Sequence, residues 1–351
     1  MGKTIKPEDL KCPLPITGHD TIQLSHGSGG RMSNELISKL FVWAFDNPAL
    51  RKQDDQAVVE VNGLKLSFTT DSFVVDPIFF PGGDIGDLAV NGTVNDICMN
   101  GATPLYLSAG FIIEEGFPLK DLQAIVISMK RAASEAGVQI VTGDTKVVNK
   151  GKGDKIFINT AGIGLIEHGY DISSSNLKAG DAIILSGTIA DHGIAVMSKR
   201  ENLSFETPIT SDTASLNRLV AEIVRVGGVH AMRDPTRGGV AATLNEFAMA
   251  SHVGIRIHED RIPVKPAVAG ACEILGLDPL YVANEGKLVA VVSPDKAEAV
   301  LAAMKKHSLG VDAVIIGEVV SGQSGMVSMT TRIGGQRIVD MPVGEQLPRI
   351  C

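Results

Sequence analysis

The stretch Ala57-Val58-Val59-Glu60-Val61-Asn62-Gly63-Leu64-Lys65-Leu66-Ser67-Phe68-Thr69-Thr70-Asp71-Ser72 is where the chain first declares its architecture. Two apolar-rich runs, 57–61 and 64–70, flank Asn62-Gly63, the dipeptide that best supplies the positive φ angles of a tight hairpin turn. Working outward, the pattern predicts a helix over 84–100, a strand over 105–113, a helix over 118–136 and strands over 138–148 and 155–166. Before the hairpin, Ser25-His26-Gly27-Ser28-Gly29-Gly30 leads into an amphipathic helix carrying Leu36, Ile37, Leu40 and Phe41. After it, the polar, Ser-rich segment 167–180 reads as a linker. Ala182-Ile183-Ile184-Leu185 then opens a second run, with helices at 238–252 and 266–276 and strands at 287–292 and 313–320.

Helices and strands interleave in both halves, which predicts an α+β class with α/β-like alternation and two domains. The expected division is an N-terminal segment 1–50 with its Gly-rich loop, a first domain 51–166, a linker 167–180, a second domain 181–330 and a tail 331–351. Pro342, Gly344 and Pro348 predict an irregular, flexible tail.

Composition narrows the function. Lys and Arg total 32 against 40 Asp and Glu, a net charge of −8, and aromatic residues make up only 4%. A nucleic-acid or anionic-membrane surface would be basic and, for single strands, rich in stacking rings, so both partner classes are excluded. Glycine is over-represented, with 38 of 351 residues against a usual share of about 7%. The excess points to tight turns and close backbone approach to a ligand. The start lacks the apolar core of a signal peptide and no run approaches the roughly 18 residues of a membrane span, so the expected location is the cytoplasm. Four scattered cysteines, Cys12, Cys98, Cys272 and Cys351, form no zinc spacing and fit a reducing compartment.

The common nucleotide and hydrolase motifs are missing, yet aspartates recur where apolar runs end. Asp71 follows one such run and Asp144, in Val141-Thr142-Gly143-Asp144-Thr145-Lys146, another; Asp234 lies in Arg233-Asp234-Pro235-Thr236-Arg237-Gly238-Gly239. The helix over 84–100 carries Asp84, Asp87, Asn91 and Asn95 on one side, with Asp96 about 100° further round. Taken singly, each aspartate has the ordinary reading of a cap or strand end. As a set beside glycine loops they suit Mg2+ and polyphosphate, since Mg2+ takes hard oxygen ligands and glycine N–H groups cradle anions. His26 can touch a phosphate or merely be solvated. His192 can line a pocket or be a satisfied structural histidine. Glu285 can be a general base or an exposed turn residue. Cys351, in Gln346-Leu347-Pro348-Arg349-Ile350-Cys351, looks like a mobile thiol suited to carrying a small acyl-like group, beside Arg349 that favours thiolate or phosphate.

Together His26-Gly27-Ser28-Gly29-Gly30, Thr70-Asp71-Ser72-Phe73-Val74-Val75, Asn95-Asp96-Ile97-Cys98-Met99, Gly143-Asp144-Thr145-Lys146 and Asp234-Pro235-Thr236-Arg237-Gly238-Gly239 resemble the superfamily of aminoimidazole ribonucleotide synthetase, selenophosphate synthetase and thiamine-monophosphate kinase. The ending Pro348-Arg349-Ile350-Cys351 is similar to that of its hydrogenase maturation branch, the HypE family. The resemblance covers nearly the whole chain. It implies a homodimer whose N-terminal sheets join around ATP, and a carbamoyl group placed on Cys351 by a HypF-type carbamoyltransferase. That group would be dehydrated with ATP to a thiocyanate, and its cyanide passed to a HypC–HypD complex for the [NiFe]-hydrogenase iron. It further implies that Asp71, Asp96, Asp144 and Asp234 hold magnesium and phosphates. His26, Gly27, Gly29, Gly30 and Arg237 would contact ATP, Glu285 would be the base, and Lys146 would orient the carbamoyl group. The rival readings are another chemistry of the superfamily, which needs no C-terminal cysteine, and a non-catalytic scaffold whose tail is a docking peptide.

Overall fold

The computed structural model describes residues 20–167, 169–203, 207–344 and 347–351. Cys12 therefore lies outside the described residues. The Gly-rich loop leads into α1 (Arg31–Leu36), a π-helical turn (Ile37–Val42) and α2 (Trp43–Phe45). Leu36 on this run is buried, whereas Ile37 and Phe41 stay exposed.

The Asn62-Gly63 hairpin forms as its sequence predicts, joining β1 (Ala57–Val61) to β2 (Leu64–Phe73) in antiparallel register, with Val61 opposite Leu64. After a small ribbon, β3 (Phe79–Phe80) and β4 (Gly83–Asp84), comes α3 (Ile85–Cys98). Asp84 caps α3 by accepting from the N–H groups of Gly86 and Asp87, and the Asp87 carboxylate accepts from the Asp84 N–H. This reciprocal box satisfies helix-start donors that would otherwise be orphaned. Then follow β5 (Thr103–Glu114), α4 (Leu119–Ala136), β6 (Gln139–Val148) and β7 (Ile156–Ile166). Gly137 ends α4 in the left-handed conformation at φ 77°, as a helix C-terminus commonly requires.

The first sheet runs β1-β2-β7-β5-β6. Its strands alternate in burial: Ser67, Thr69 and Phe73 of β2 face inward, as do Ile156, Ile158 and Thr160 of β7. The helical layer of α3 covers that inner face, and Gly92 lets it approach so closely that a Cβ there would sit 2.9 Å from the Phe73 ring. The outer face stays open, exposing Phe68, Tyr106 and Ile112.

The second half contributes β8 (Ala182–Leu185), α5 (Asp191–Arg200), α6 (Asn217–Val226), β9 (Val229–Arg233), α7 (Gly239–Ala250), β10 (Gly254–His258), α8 (Pro266–Leu275), β11 (Val289–Val292), α9 (Ala297–Lys306), β12 (Val314–Val320), β13 (Met326–Thr330) and β14 (Gln336–Ile338). Its sheet runs β14-β13-β10-β12-β8-β11-β9. The central strands β8 and β11 are buried almost throughout, which is why they read as unbroken apolar runs. Among the described residues no helix is long and apolar enough to cross a membrane.

Two stretches carry more fixed contacts than composition alone predicts. The segment expected to be a linker is partly buried and tied down: Ser173 O–H and Ser174 N–H both donate to Asp54. The tail holds one regular element, β14, and its last residues are docked rather than loose, with Ile350 only 4% exposed.

The polar side of α3 also joins the two halves. The Asn95 amide donates to the carbonyls of Ala214 and Glu285, and its oxygen accepts from Leu216 N–H. Asn91 accepts from Ser215 O–H and donates to Thr213. These groups, on a face expected to bear ligands, instead satisfy a buried crossing segment. Replacing Asn95 with Ala leaves a buried N–H and two carbonyls without their partner, a cost of about 2 kcal/mol. The urea midpoint of Asn95→Ala should fall accordingly; an unchanged midpoint would refute this role.

Candidate active site

Three aspartates from distant parts of the chain meet in the crevice between the sheets: Asp55 just before β1, Asp96 on α3 and Asp234 just after β9. One carboxylate oxygen from each lies within 4.8 Å of the other two. Thr69 O–H donates to Asp96 at 3.1 Å, and Arg233 bridges Asp55 at 2.5 Å and Glu246 at 2.7 Å. Asp234 Oδ2 is buried without a hydrogen-bond partner. Burial first, then repulsion from Asp234, Asp55 and Asp71, pushes the Asp96 carboxyl well above the usual range. Burial, followed by repulsion from Asp55, does the same to Asp234. Burial lifts Asp55 to about 6 although Arg233 opposes it. Hard oxygen donors crowded together with an orphaned lone pair fit a divalent cation, which relieves both repulsion and desolvation.

Asp71 lies on the same inner face, paired in register with the buried Thr160. Its carboxyl is raised by burial, while Arg237 and the Ser72 N–H pull it back down. Glu285 enters from the second domain at 2% exposure, with Oε1 unpartnered. Burial and the charges of Asp234, Asp71 and Asp212 push its carboxyl far up, only partly offset by Arg237. Glu285 is thus no exposed turn residue. Burial and the neighbouring carboxylates favour its protonated form, and a cation beside the aspartates would lower its proton affinity and free the carboxylate to accept a proton. Asp55, Asp71, Asp96, Asp234, Glu285 and Cys351 all line one cavity of about 1130 Å³.

The glycine loop sits at the rim. Leu24–Gly27 forms a 3-10 turn in which His26, buried, accepts from Gln23 N–H through Nδ1 at 2.9 Å. Arg237 donates to the Gly27 carbonyl at 2.9 Å. Gly29 has φ 75°, and a Cβ there would lie 2.9 Å from Arg237, so the loop can close on Arg237 only as glycine. At Gly30 a Cβ would overlap the Pro342 carbonyl. His26 therefore shapes the loop, while Gly27 faces open space beside Arg237 and Cys351 in a second cavity of about 180 Å³.

Asp144 and Lys146 do not join this group within one chain. They are exposed on β6 and paired with each other at 2.6 Å. Asp144 is in register with Gly110 of β5, and Gly110 with Asn159 of β7, whereas Asp71 is in register with Thr160. Alternation along a strand therefore puts Asp144 on the opposite face from Asp71, and three strand spacings separate them by roughly 14 Å.

The tail carries Cys351 to the cavity. Val74 N–H donates to the Cys351 carbonyl at 2.9 Å, and Asp76 N–H to that of Arg349 at 3.2 Å. Arg349 pairs with Asp154 and stacks over Phe157. Interaction with Cys351 is the largest influence raising the Arg237 pKa. The other described thiols, Cys98 and Cys272, are buried, and burial pushes Cys272 up to about 11.

Sequence reasoning overlooked Asp55; the signal was the acidic pair Asp54-Asp55 just before the first strand. It also underrated Arg233, the counter-ion of the cluster, and Asp212, whose carboxylate accepts from Glu285 N–H and faces Lys287 at 3.5 Å. Asp191 is likewise structural, accepting from Thr188 O–H and facing Lys265.

Residues 53–166 match the model of the AIR synthase related protein N-terminal domain, and residues 178–329 that of its C-terminal domain. The chain is 61% identical to carbamoyl dehydratase HypE of Rhizobium leguminosarum bv. viciae over 332 residues, covering 94% of this chain and 95% of that protein. A solved HypE–HypF complex contains a chain of the same fold at TM-score 0.84 and 55% identity, spanning 88% of this chain and 99% of that one. A solved HypE in complex with ATP matches at TM-score 0.80 and 51% identity over 94% of this chain and 100% of that one.

A cation held by the cluster would bind in a pH-dependent way. Unfolded aspartate titrates near pH 3.9, so raised native values mean the folded cluster binds protons more tightly. Stability of the cation-free protein is then fullest below about pH 4 and falls as pH rises through about 6, where Asp55 ionises into its neighbours. Mg2+ should offset that loss, so its stabilising effect on thermal unfolding grows from about pH 5 to about pH 7.5. Asp96→Asn should abolish the growth; a pH-independent Mg2+ effect would count against the site.

Proposed function

The chain belongs to the HypE carbamoyl dehydratases of the AIR synthase related family, enzymes of hydrogenase maturation that act on a carbamoyl group, and from this we propose that Cys351 is the residue that carries that group. The observation that supports the reading most is the docking of Cys351 on the wall of the cavity that holds Asp71, Arg237 and Glu285. A HypF-type carbamoyltransferase, as in the solved HypE–HypF complex, would load the thiol, and a HypC–HypD complex would receive the cyanide.

The chemistry follows from the groups present. Loss of water from S–C(=O)–NH2 requires the oxygen to become a leaving group. The carbamoyl oxygen attacks the γ-phosphorus of ATP, ADP departs, and one N–H proton is lost. Expulsion of inorganic phosphate with loss of the second N–H proton then leaves S–C≡N. Mg2+ held by Asp55, Asp96 and Asp234 would supply charge neutralisation for the phosphates. Arg237 and the loop 27–30 bind phosphate oxygens at the cavity rim. Glu285, buried and aimed into the cavity, takes the N–H proton once its own has gone.

Lys146 and Asp144 enter this scheme only through a second copy. The open outer face of the first sheet, with Phe68, Tyr106 and Ile112 exposed, is suited to homodimer formation, which would bring those two residues toward a partner's cavity.

Two outcomes test the reading. After incubation with carbamoyl phosphate, ATP and the transferase, mass spectrometry should find a carbamoyl adduct on Cys351 that loses one water. Cys351→Ala should show no adduct and no carbamoyl-dependent ATP turnover, and activity surviving in that variant would sink the proposal. Glu285→Gln should load normally and stall at the carbamoyl stage, with dehydration slowed by about 10²-fold or more.

A further inference from the structure

The grip on the tail combines main-chain hydrogen bonds with the Arg349 side chain, whose Nε donates to the Val74 carbonyl at 2.9 Å, and it makes no demand on the Cys351 side chain. Arg200, at the end of α5, donates to the carbonyls of Pro348 at 2.7 Å and Arg349 at 2.8 Å. The same guanidinium is fixed by the Asp76 carbonyl, to which Nε donates at 2.8 Å. His192, in the first turn of α5, lies 2.8 Å from the Ile350 carbonyl through Nε2 and 2.8 Å from Ser211 Oγ through Nδ1. A carbonyl only accepts, so Nε2 bears the proton and Ser211 O–H donates to Nδ1. Thr213 N–H in turn donates to Ser211 Oγ. With Val74 N–H on Cys351, a main-chain oxygen of each of the four consecutive residues 348 to 351 accepts a hydrogen bond. Below them Leu347 and Ile350 are buried, and α5 comes close enough that a Cβ at Gly193 would sit 3.2 Å from Leu347.

Resting on the carrier reading above, we propose that α5 is the seat of the loaded tail, with His192 and Arg200 as positioning residues that set whether Cys351 faces the ATP cavity or is released toward its carbamoyl donor. Such a grip is indifferent to what Sγ carries, so one seat serves thiol, carbamoyl and thiocyanate alike. The grip is also built for release. The hydrogen bonds from Arg200 and His192 end on the neutral carbonyls of 348, 349 and 350, and the Arg349–Asp154 ion pair is partly exposed and so contributes little.

The seat predicts opposite effects on the two half-reactions. His192→Phe keeps the ring volume but removes the donor, and Arg200→Met keeps a long apolar stem without the fork. In the full chain each should raise the alkylation rate of Cys351 by iodoacetamide about tenfold, read by mass spectrometry of its peptide. In single turnover each should slow dehydration of the preloaded carbamoyl group about tenfold while loading by the transferase is unchanged or faster. His192→Gln and Arg200→Lys, which retain a donor, should recover most of the dehydration rate. Unchanged Cys351 alkylation in both donor-less variants, or equal slowing of loading and dehydration, overturns the proposal. If His192→Phe fails to fold, Arg200→Met at the half-buried helix end decides the question by the same two measurements. Dehydration that persists in Cys351→Ala would overturn the carrier reading alone, since the alkylation result measures the seat independently.

Discussion

The site of this molecule turns on one electrostatic difficulty, the confinement of several carboxylates in one crevice. Asp55, Asp96 and Asp234 share a space of a few ångström; Asp71 raises the proton affinity of Asp96 and Asp234 further, and Asp234 and Asp71 raise that of Glu285. Such a group is unfavourable without positive charge, and the chain supplies only part of it. Arg233 pairs with the outer side of Asp55, and Arg237 moderates Asp71 and Glu285. The remaining deficit is the physical basis for the proposal that the crevice takes a cation and polyphosphate, which would supply the missing positive charge and partners. The fold must hold these repelling groups together, and α3 does so through buried amides, Asn91 and Asn95, which tie the first domain to the crossing segment beside Glu285.

Local signals in the sequence reached far into the fold. The Asn62-Gly63 turn, the Gly137 helix stop and the apolar strands β8 and β11 each have a short-range physical cause, and each forms where that cause lies. Asp71, Asp96, Asp234, Glu285 and Cys351 were legible as candidates from residue type and neighbouring pattern, Arg237 through the family resemblance, and the structure gathers all six about one cavity. What was not legible was sidedness. Asp144 follows an apolar run just as Asp71 does, yet β6 pairs with β5 in a register that turns Asp144 to the opposite face. A strand's own sequence alternates identically whichever face meets the helices when it lies exposed at a sheet edge. Asp55 escaped for the complementary reason: it belongs to no periodic element, and its role arises from Arg233, 178 residues away.

The tail shows a different limit. Proline and glycine counts predict irregularity correctly for most of 331–351, but irregular backbone need not be loose backbone. The carbonyls that no helix or ladder satisfies are taken up by Arg200, His192, Val74 and Asp76. The full accounting of buried polar groups, rather than secondary-structure propensity, decides where such a segment rests.

The two faces of the five-stranded sheet divide the chemistry. The inner face contributes Asp71, beside α3 and the cation cluster, while the outer face presents Asp144 with Lys146 amid exposed apolar side chains. No side chain crosses a sheet, and a lysine stem of about 6 Å cannot bridge the roughly 14 Å along it. A role for Lys146 in the reaction therefore demands that the ammonium be delivered to the cavity of another copy. In such an assembly one carboxylate cluster, one Glu285 and one docked Cys351 would come from a single chain, and only the Asp144–Lys146 pair of β6 would be exchanged.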